Sequence, residues 1–178
     1  MGPKDRYFGC AWAHLEANIP VKLLHGPWTE DRLSFLHTLN EGGANIDAEN
    51  KAMLIKGLVE VIREDNYRAA DVILNLEHRI ERRSGYRTAF IIKPHTELLR
   101  VAVIEGGCHW DITMRLIWME SSDINFTDPA VVNWAEKKIE QGVCIGRWLL
   151  DKLEKRRNRD REAKEQLEIV GCDGLAMT

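Results

Sequence analysis

The chain has 178 residues, a net charge of -3, a charged share of 30% and a hydrophobic share of 44%. This length corresponds to about one domain, and the composition is ordinary for a globular protein. Because the net charge is slightly negative, the chain as a whole does not attract nucleic acid or an anionic membrane. A polyanion site would therefore require a local concentration of cations.

The four cysteines, Cys10, Cys108, Cys144 and Cys172, lie far apart and have no spacing typical of a disulfide scaffold. The first residues are polar, and no apolar run approaches the roughly 18 to 20 residues that cross a bilayer. These features predict free thiols in a reducing compartment and a cytoplasmic protein that does not enter membranes.

The first half of the chain predicts two short strands followed by three helices. Thr29 is a good N-cap residue for the first helix, and Asp47 is one for the second. Gly85 suits the position after the end of the third helix. The predicted strands are Tyr7–Leu15 and Ile19–Leu24. The first predicted helix begins after Thr29, runs through Leu33 and Leu39 and ends near Gly42 and Gly43. The second follows Asp47, and the third covers about Asn66 to Arg83.

After Gly85 the hydrophobic period changes from 3.6 residues to 2, which is typical of strands. The pattern predicts strands over Tyr86–Lys93, Glu97–Ile104 and Cys108–Trp118, with the last two joined around Gly106 and Gly107. In the third strand, every second residue from Cys108 to Trp118 is predicted to point toward a core.

Asp128 followed by Pro129 is typical of a helix start, and one helix is predicted from Pro129 to about Arg159. The expected fold is α+β, with helices packed on one face of a small antiparallel sheet and a long amphipathic C-terminal helix. Residues 1–170 are expected to form a single domain, with a disordered tail over 171–178.

At 100° per residue, this predicted helix separates into an apolar face, an acidic stripe and a flank that mixes cations with indole rings. The flank is the main candidate site. Its candidate binding residues are Trp134, Lys138, Trp148, Lys152, Lys155, Arg156 and Arg159. Gly142 and Gly146 lie on the apolar stripe, where a helix glycine suggests close approach of another backbone, expected to be the sheet.

Four cations of the flank form one row, the basic ridge, and a row of cations matches the spacing of phosphates. The ridge residues are Lys152, Lys155, Arg156 and Arg159. Trp148 could stack on a base. Arg79, Arg82, Arg83 and Arg87 form a second basic cluster at the end of the third predicted helix. The leading prediction is therefore a non-catalytic protein that binds nucleic acid, RNA rather than DNA, through the flank and this cluster.

The alternative prediction is a protein-interaction module, such as an inhibitor, immunity factor or adaptor. Trp and Arg are enriched at the energetic centres of interfaces. Trp134, Ile145 and Trp148 would anchor a partner helix or a homodimer.

An enzyme is the less favoured alternative, because the chain has no motif typical of a catalytic or cofactor site. His109 and Asp111 would share the polar face of a strand with Thr113 and Arg115, where a histidine could act as an oriented base. No cofactor is expected. A metal is not expected either, because Cys10-x-x-x-His14 and Cys108-His109 lack the usual ligand spacing.

From Asn66 to about Lys155, the predicted order of helix, three strands and helix resembles the double-stranded RNA-binding domain. Lys93-Pro94-His95 lies where that family has a similar loop. The resemblance covers about half the chain. The family's second helix opens with a lysine-rich run, whereas the matching opening here is Asp128-Pro129-Ala130-Val131, so no family residue is transferred to this chain.

Overall fold

A computed structural model describes residues 26–41, 46, 48–82, 85–120 and 122–173. These residues are mainly helical, and the only strands among them form one two-stranded hairpin. The predicted α+β fold, with helices packed on one face of an antiparallel sheet, is therefore wrong. The predicted strands before residue 26, the Asp47 cap and the end of the tail lie outside the described residues. The chain folds into two compact units, one ending at Lys93 and the other beginning at Pro94.

The first unit contains three helices and the hairpin. The elements are α1 (Glu30–Glu41), α2 (Ala48–Arg63), α3 (Tyr67–Leu74), β1 (Glu77–Arg82) and β2 (Gly85–Phe90). The start of α1 is as predicted, because the Arg32 N–H donates to Thr29 Oγ1 at 3.4 Å. Leu36, Leu54, Leu58, Ile73 and Leu74 are fully buried and form the centre of the unit.

The third helix is shorter than predicted. Asn66 caps α3 by accepting the Ala69 N–H at 3.1 Å, but the helix ends at Leu74. Asn40 on α1 then holds the beginning of β1 through two hydrogen bonds. Its amide donates to the Glu77 carbonyl at 2.6 Å, and its carbonyl accepts the Glu77 N–H at 3.0 Å. The predicted last helical turns are therefore strand, paired antiparallel with β2.

The second unit is helical. Its elements are α4 (Thr96–Arg100), a π-helical segment (Val101–Glu105), α5 (Trp110–Trp118), α6 (Pro129–Glu140) and α7 (Cys144–Asp173). The strands predicted over Glu97–Ile104 and Cys108–Trp118 are therefore wrong. The segment from Thr96 to Glu105 buries Leu98, Leu99 and Ala102, at a spacing that a helix presents on one side.

The start of α6 is as predicted, because Asp128 caps it by accepting the N–H groups of Ala130 and Val131. The single helix predicted from Pro129 to Arg159 is interrupted, however. Gln141 ends α6 and Gly142 has a φ of +73°, in the left-handed region that favours glycine. The N–H of Val143 then donates to the Lys138 carbonyl at 2.8 Å, so α6 and α7 form a helical hairpin.

Gly146 is the point of closest approach within this hairpin. A Cβ at Gly146 would overlap the Ala135 carbonyl oxygen and would lie 3.0 Å from Lys138 Cβ. The sequence predicts a nearby backbone at this glycine, as observed, but the expectation that a sheet supplies it is wrong. The neighbouring backbone is that of α6.

Candidate functional site

The break between α6 and α7 divides the predicted basic and aromatic flank. Trp134 and Lys138 lie on α6, whereas Trp148 and the cations from Lys152 to Arg159 lie on α7. The expectation that one straight helix presents all of them as a single stripe is wrong. The second unit instead has three local groups of these residues.

The first group is a pair of stacked indole rings, Trp110 and Trp148. Their ring centroids are 3.9 Å apart, with an interplanar angle of 29°. Trp110 stands at the first residue of α5 and is 49% exposed, whereas Trp148 is half-buried. The Trp148 indole N–H is buried and has no hydrogen-bond partner among the described residues. The pair is therefore a supported aromatic surface with one accessible ring.

Trp110 is a functional candidate that the sequence reasoning missed. Its place in an alternating pattern suggested an inward-facing strand residue, since Trp110, Ile112 and Met114 are two apart. The signal that could have identified it is its position shortly after Gly107 and Cys108, with only His109 between Cys108 and Trp110. Gly107 and Cys108 both have positive φ, +74° and +64°, and they lie in the turn between the π-helical segment, which ends at Glu105, and α5.

The second group is Trp134 with Lys138. The Lys138 ammonium lies 5.2 Å from the centre of the Trp134 ring, and the two residues are one helical turn apart on α6. Both side chains are half-buried. The lysine therefore already has an aromatic partner within its own helix.

The third group is the predicted basic ridge on α7, which is largely paired with acids of the same helix. Lys152 and Lys155 lie 4.0 and 3.0 Å from the Asp151 carboxylate. Arg157 and Arg161 are also each within 4 Å of a carboxylate, those of Glu154 and Glu165. Among the four ridge residues, Arg159 is the one for which the structure shows no ion pair within the described residues.

Arg156 does not belong to an exposed ridge at all. The residue is 4% exposed, its Nε lies 3.0 Å from Asp160 Oδ1, and its guanidinium lies 5.6 Å from the centre of the Phe126 ring. The predicted role of Arg156 as an accessible phosphate contact is therefore contradicted by its burial.

The second predicted basic cluster lies in the first unit and has a different local structure from that expected. Arg79 and Arg82 lie in β1 and Arg87 lies in β2, whereas Arg83 lies outside the described residues. The backbone register places Arg79 opposite Thr88. The cluster therefore belongs to a hairpin and not to the end of a helix.

An open groove of about 580 Å³ lies between the beginning of α6 and the middle of α7. Phe126, Val132, Leu150 and Leu153 contribute apolar surface to its lining, and Arg157 is one of its charged residues. The residues that line this groove include no combination of side chains that is typical of a catalytic site.

The predicted polar row of His109, Asp111, Thr113 and Arg115 is not formed. His109 precedes α5, and the other three residues lie within that helix, where residues two apart point in different directions. Thr113 is fully buried. Within the described residues, no group of three or more His, Cys, Asp or Glu side chains is placed to hold a metal ion. Cys10 and His14 lie outside the described residues.

No family model matches this chain, and neither does any curated protein or solved structure. Each of the helices that the structure describes is too short or too polar to span a membrane.

The stacked pair of Trp110 and Trp148 is the most distinctive accessible feature of the second unit.

Proposed function

We propose that this chain is a non-catalytic protein-interaction module, and that its second unit contacts the partner through Trp110 and Trp148. The observation that carries the proposal is the stacked pair itself, in which half of the Trp110 surface is exposed on top of a ring held by α7. A rigid tryptophan on a supported surface is a typical energetic centre of a protein interface.

The local electrostatics support a protein partner over a polyanion. Lys152, Lys155 and Arg156 each lie within 4.0 Å of an aspartate on their own helix. A phosphate would have to compete with these acids, and fewer counterions would be released on binding. A protein surface can instead bury an aromatic ring without a strong excess of charge.

The experiment compares the purified chain with two alanine variants that each remove one exposed aromatic ring. Trp110→Ala removes the proposed contact, whereas Phe35→Ala removes a ring of similar exposure, 51%, from α1 of the first unit. A partner is first captured by affinity purification at high salt, then purified and titrated by calorimetry. Trp110→Ala is expected to weaken binding by about 2 kcal/mol, roughly 30-fold, and Phe35→Ala to leave it unchanged. Equal affinities for the two variants would contradict the proposal.

RNA binding is the second candidate, because Trp110 offers a ring for stacking and Arg159 is an exposed cation on the same helix as Trp148. Fluorescence anisotropy with single-stranded and hairpin RNA across salt concentrations tests it. Tight binding that falls steeply with salt and is lost in Arg159→Glu would establish RNA as the ligand and displace the protein-partner proposal.

A further inference from the structure

The groove between α6 and α7 has the size and the lining of a small-molecule site. Its volume is about 580 Å³, and clefts that bind small molecules typically measure about 300 to 1,000 Å³. Such clefts are lined mainly by apolar side chains, with a few polar groups that fix the orientation of the ligand. The apolar lining of this groove consists of Phe126, Pro129, Val132, Leu150 and Leu153. The charged residues of the lining then decide which ligand the groove accepts.

Three charged residues line the groove, and their charges do not balance. Arg157 Nη2 lies 3.9 Å from Glu154 Oε1, so these two charges offset each other. Glu136 also lines the groove, and its carboxylate forms no ion pair within the described residues. The neighbouring cations Lys137 and Arg147 are not among the lining residues. The groove therefore carries one negative charge without a partner.

The opposite directions of the two helices place this charge at one end of the groove. Glu136 lies two helical turns after Pro129 on α6, and Arg157 lies two turns after Leu150 on α7. Because α6 and α7 form a hairpin, Glu136 lies across from Leu150, whereas Arg157 lies near Pro129. Glu136 and Arg157 are thus separated by about 10 Å along the groove, with apolar lining between them.

We propose that this groove binds a small apolar molecule that carries a protonated amine. The ammonium group pairs with Glu136, and the apolar body covers Val132 and Leu150 in the direction of Phe126. A ligand carboxylate in the same place would be repelled by Glu136. In the reverse orientation it would have to compete with Glu154 for Arg157.

This site is separate from the proposed partner surface. At 100° per residue, Leu150 and Arg157 lie about 160° to 180° around α7 from Trp148. The groove and the stacked tryptophans are therefore on opposite sides of the same helix. Binding of the amine does not rest on the proposed function.

Three probes of matched shape test the proposal. Phenylbutylamine, phenylbutanol and phenylbutyrate carry a positive, a neutral and a negative end on the same phenylalkyl body. Each is titrated near neutral pH into the isotope-labelled full chain, and binding is followed by the amide chemical shifts. The amine is expected to bind with a dissociation constant on the order of 1 mM. It should bind at least threefold more tightly than the alcohol, and the butyrate should bind most weakly.

Two glutamine variants test the role of the charge. Glu136→Gln should reduce the affinity for the amine to that for the alcohol. Glu140→Gln is the matched control, because Glu140 is an exposed acid one turn further along α6 that does not line the groove. This variant should keep the preference for the amine. Far-ultraviolet circular dichroism verifies that both variants are folded.

The largest shifts with the amine should fall in residues 126–136 and 150–157, which line the groove. Shifts confined to other residues, or no saturable shift, would overturn the proposal. So would equal affinities for the amine and the alcohol, tighter binding of the butyrate, or an equal loss in the two glutamine variants. Trp110→Ala should leave amine binding unchanged, and Glu136→Gln should leave binding of the protein partner unchanged, which separates this result from the proposed function.

Discussion

Arg100 binds both carboxylate oxygens of Asp128, a residue 28 positions further along the chain. Nε donates to Oδ1 at 3.1 Å and Nη2 donates to Oδ2 at 2.6 Å. The Asp128 side chain is 3% exposed, and the same carboxylate caps α6 through the N–H groups of Ala130 and Val131. One buried acid thus joins the end of α4 to the beginning of the helical hairpin.

Replacing Asp128 should destabilise the second unit in two separable steps. Asp128→Asn retains a side chain that can cap α6 but removes the charge that pairs with Arg100. Asp128→Ala removes both functions, and the lost cap alone is expected to cost about 1 kcal/mol more than the asparagine variant. Urea unfolding followed by circular dichroism measures both variants. If the two variants are equally stable, the cap contributes nothing measurable.

The same pair predicts a loss of stability in acid. The hydrogen bond from Arg100 is the main reason that the pKa of the Asp128 carboxyl lies below its ordinary value of 3.8. Because the folded-state pKa is lowered, the stabilisation is complete above the ordinary carboxyl range. It is lost as the pH falls through the folded-state value. Unfolding free energies measured between about pH 2 and pH 7 should therefore fall less steeply in acid for Asp128→Asn than for the wild type. If the unfolding free energies of Asp128→Asn and the wild type fall equally steeply in acid, the Arg100–Asp128 pair does not contribute to the acid sensitivity.

Helix starts are the part of this fold that is predictable from sequence, because their signals are local. Thr29 and Asp128 supply side-chain oxygens at the caps of α1 and α6, and both helices begin where the sequence predicts. A cap depends only on the residue and the two or three N–H groups that follow it. Long-range packing does not change this signal.

The segment that forms α5 is not predictable in the same way, because two periods fit its nine residues. Ile112, Met114 and Leu116 alternate as they would in a strand. The buried residues, however, are Ile112, Thr113, Leu116 and Ile117, which lie on one face of a helix. Burial of Thr113 and Ile117 decides between the periods, and burial depends on packing in three dimensions. The strand predicted over Cys108–Trp118 and the His109–Asp111 row both require a period of two, whereas the segment has the period of a helix.

The candidate site shows the same division between local and long-range information. Trp148 was identified because it lies among cations on a helix, and it does belong to an accessible aromatic surface. Its stacking partner Trp110 is 38 positions away by residue number, and helical spacing does not reveal such a contact. Burial of Arg156 depends similarly on Phe126, which lies outside the helix.

Gly146 should be intolerant of any side chain. In Gly146→Ala, the added Cβ would overlap the Ala135 carbonyl oxygen and crowd Ile139 Cγ1 at 3.1 Å, so α7 must move away from α6. We expect a loss of about 1 to 3 kcal/mol, as for other over-packed sites. Denaturant unfolding measures this loss. An alanine at 146 that increased stability, as alanine normally does within a helix, would contradict the close approach.

Gly142→Ala is the matched comparison for this prediction. Gly142 also lies in the hairpin but has no atom within 4 Å of an added Cβ, and only its φ of +73° disfavours alanine. The expected loss is therefore conformational, about 1 kcal/mol. The helices should stay in contact in this variant, so its near-ultraviolet circular dichroism should match the wild type, while that of Gly146→Ala should change.

Cys108 and Cys144 should differ sharply in reactivity, because one thiol is buried and the other is exposed. Burial raises the pKa of the Cys108 thiol to about 11, only partly opposed by the Thr113 hydroxyl, whose oxygen lies 3.9 Å from the sulfur. The nucleophilic thiolate is therefore scarce at Cys108 near neutral pH. Brief alkylation of the native chain, read by peptide mass spectrometry, should label Cys144 and leave Cys108 unmodified. In denaturant, the two thiols should react at similar rates. Equal labelling in the folded state would show that the core around Cys108 opens far more readily than its burial implies.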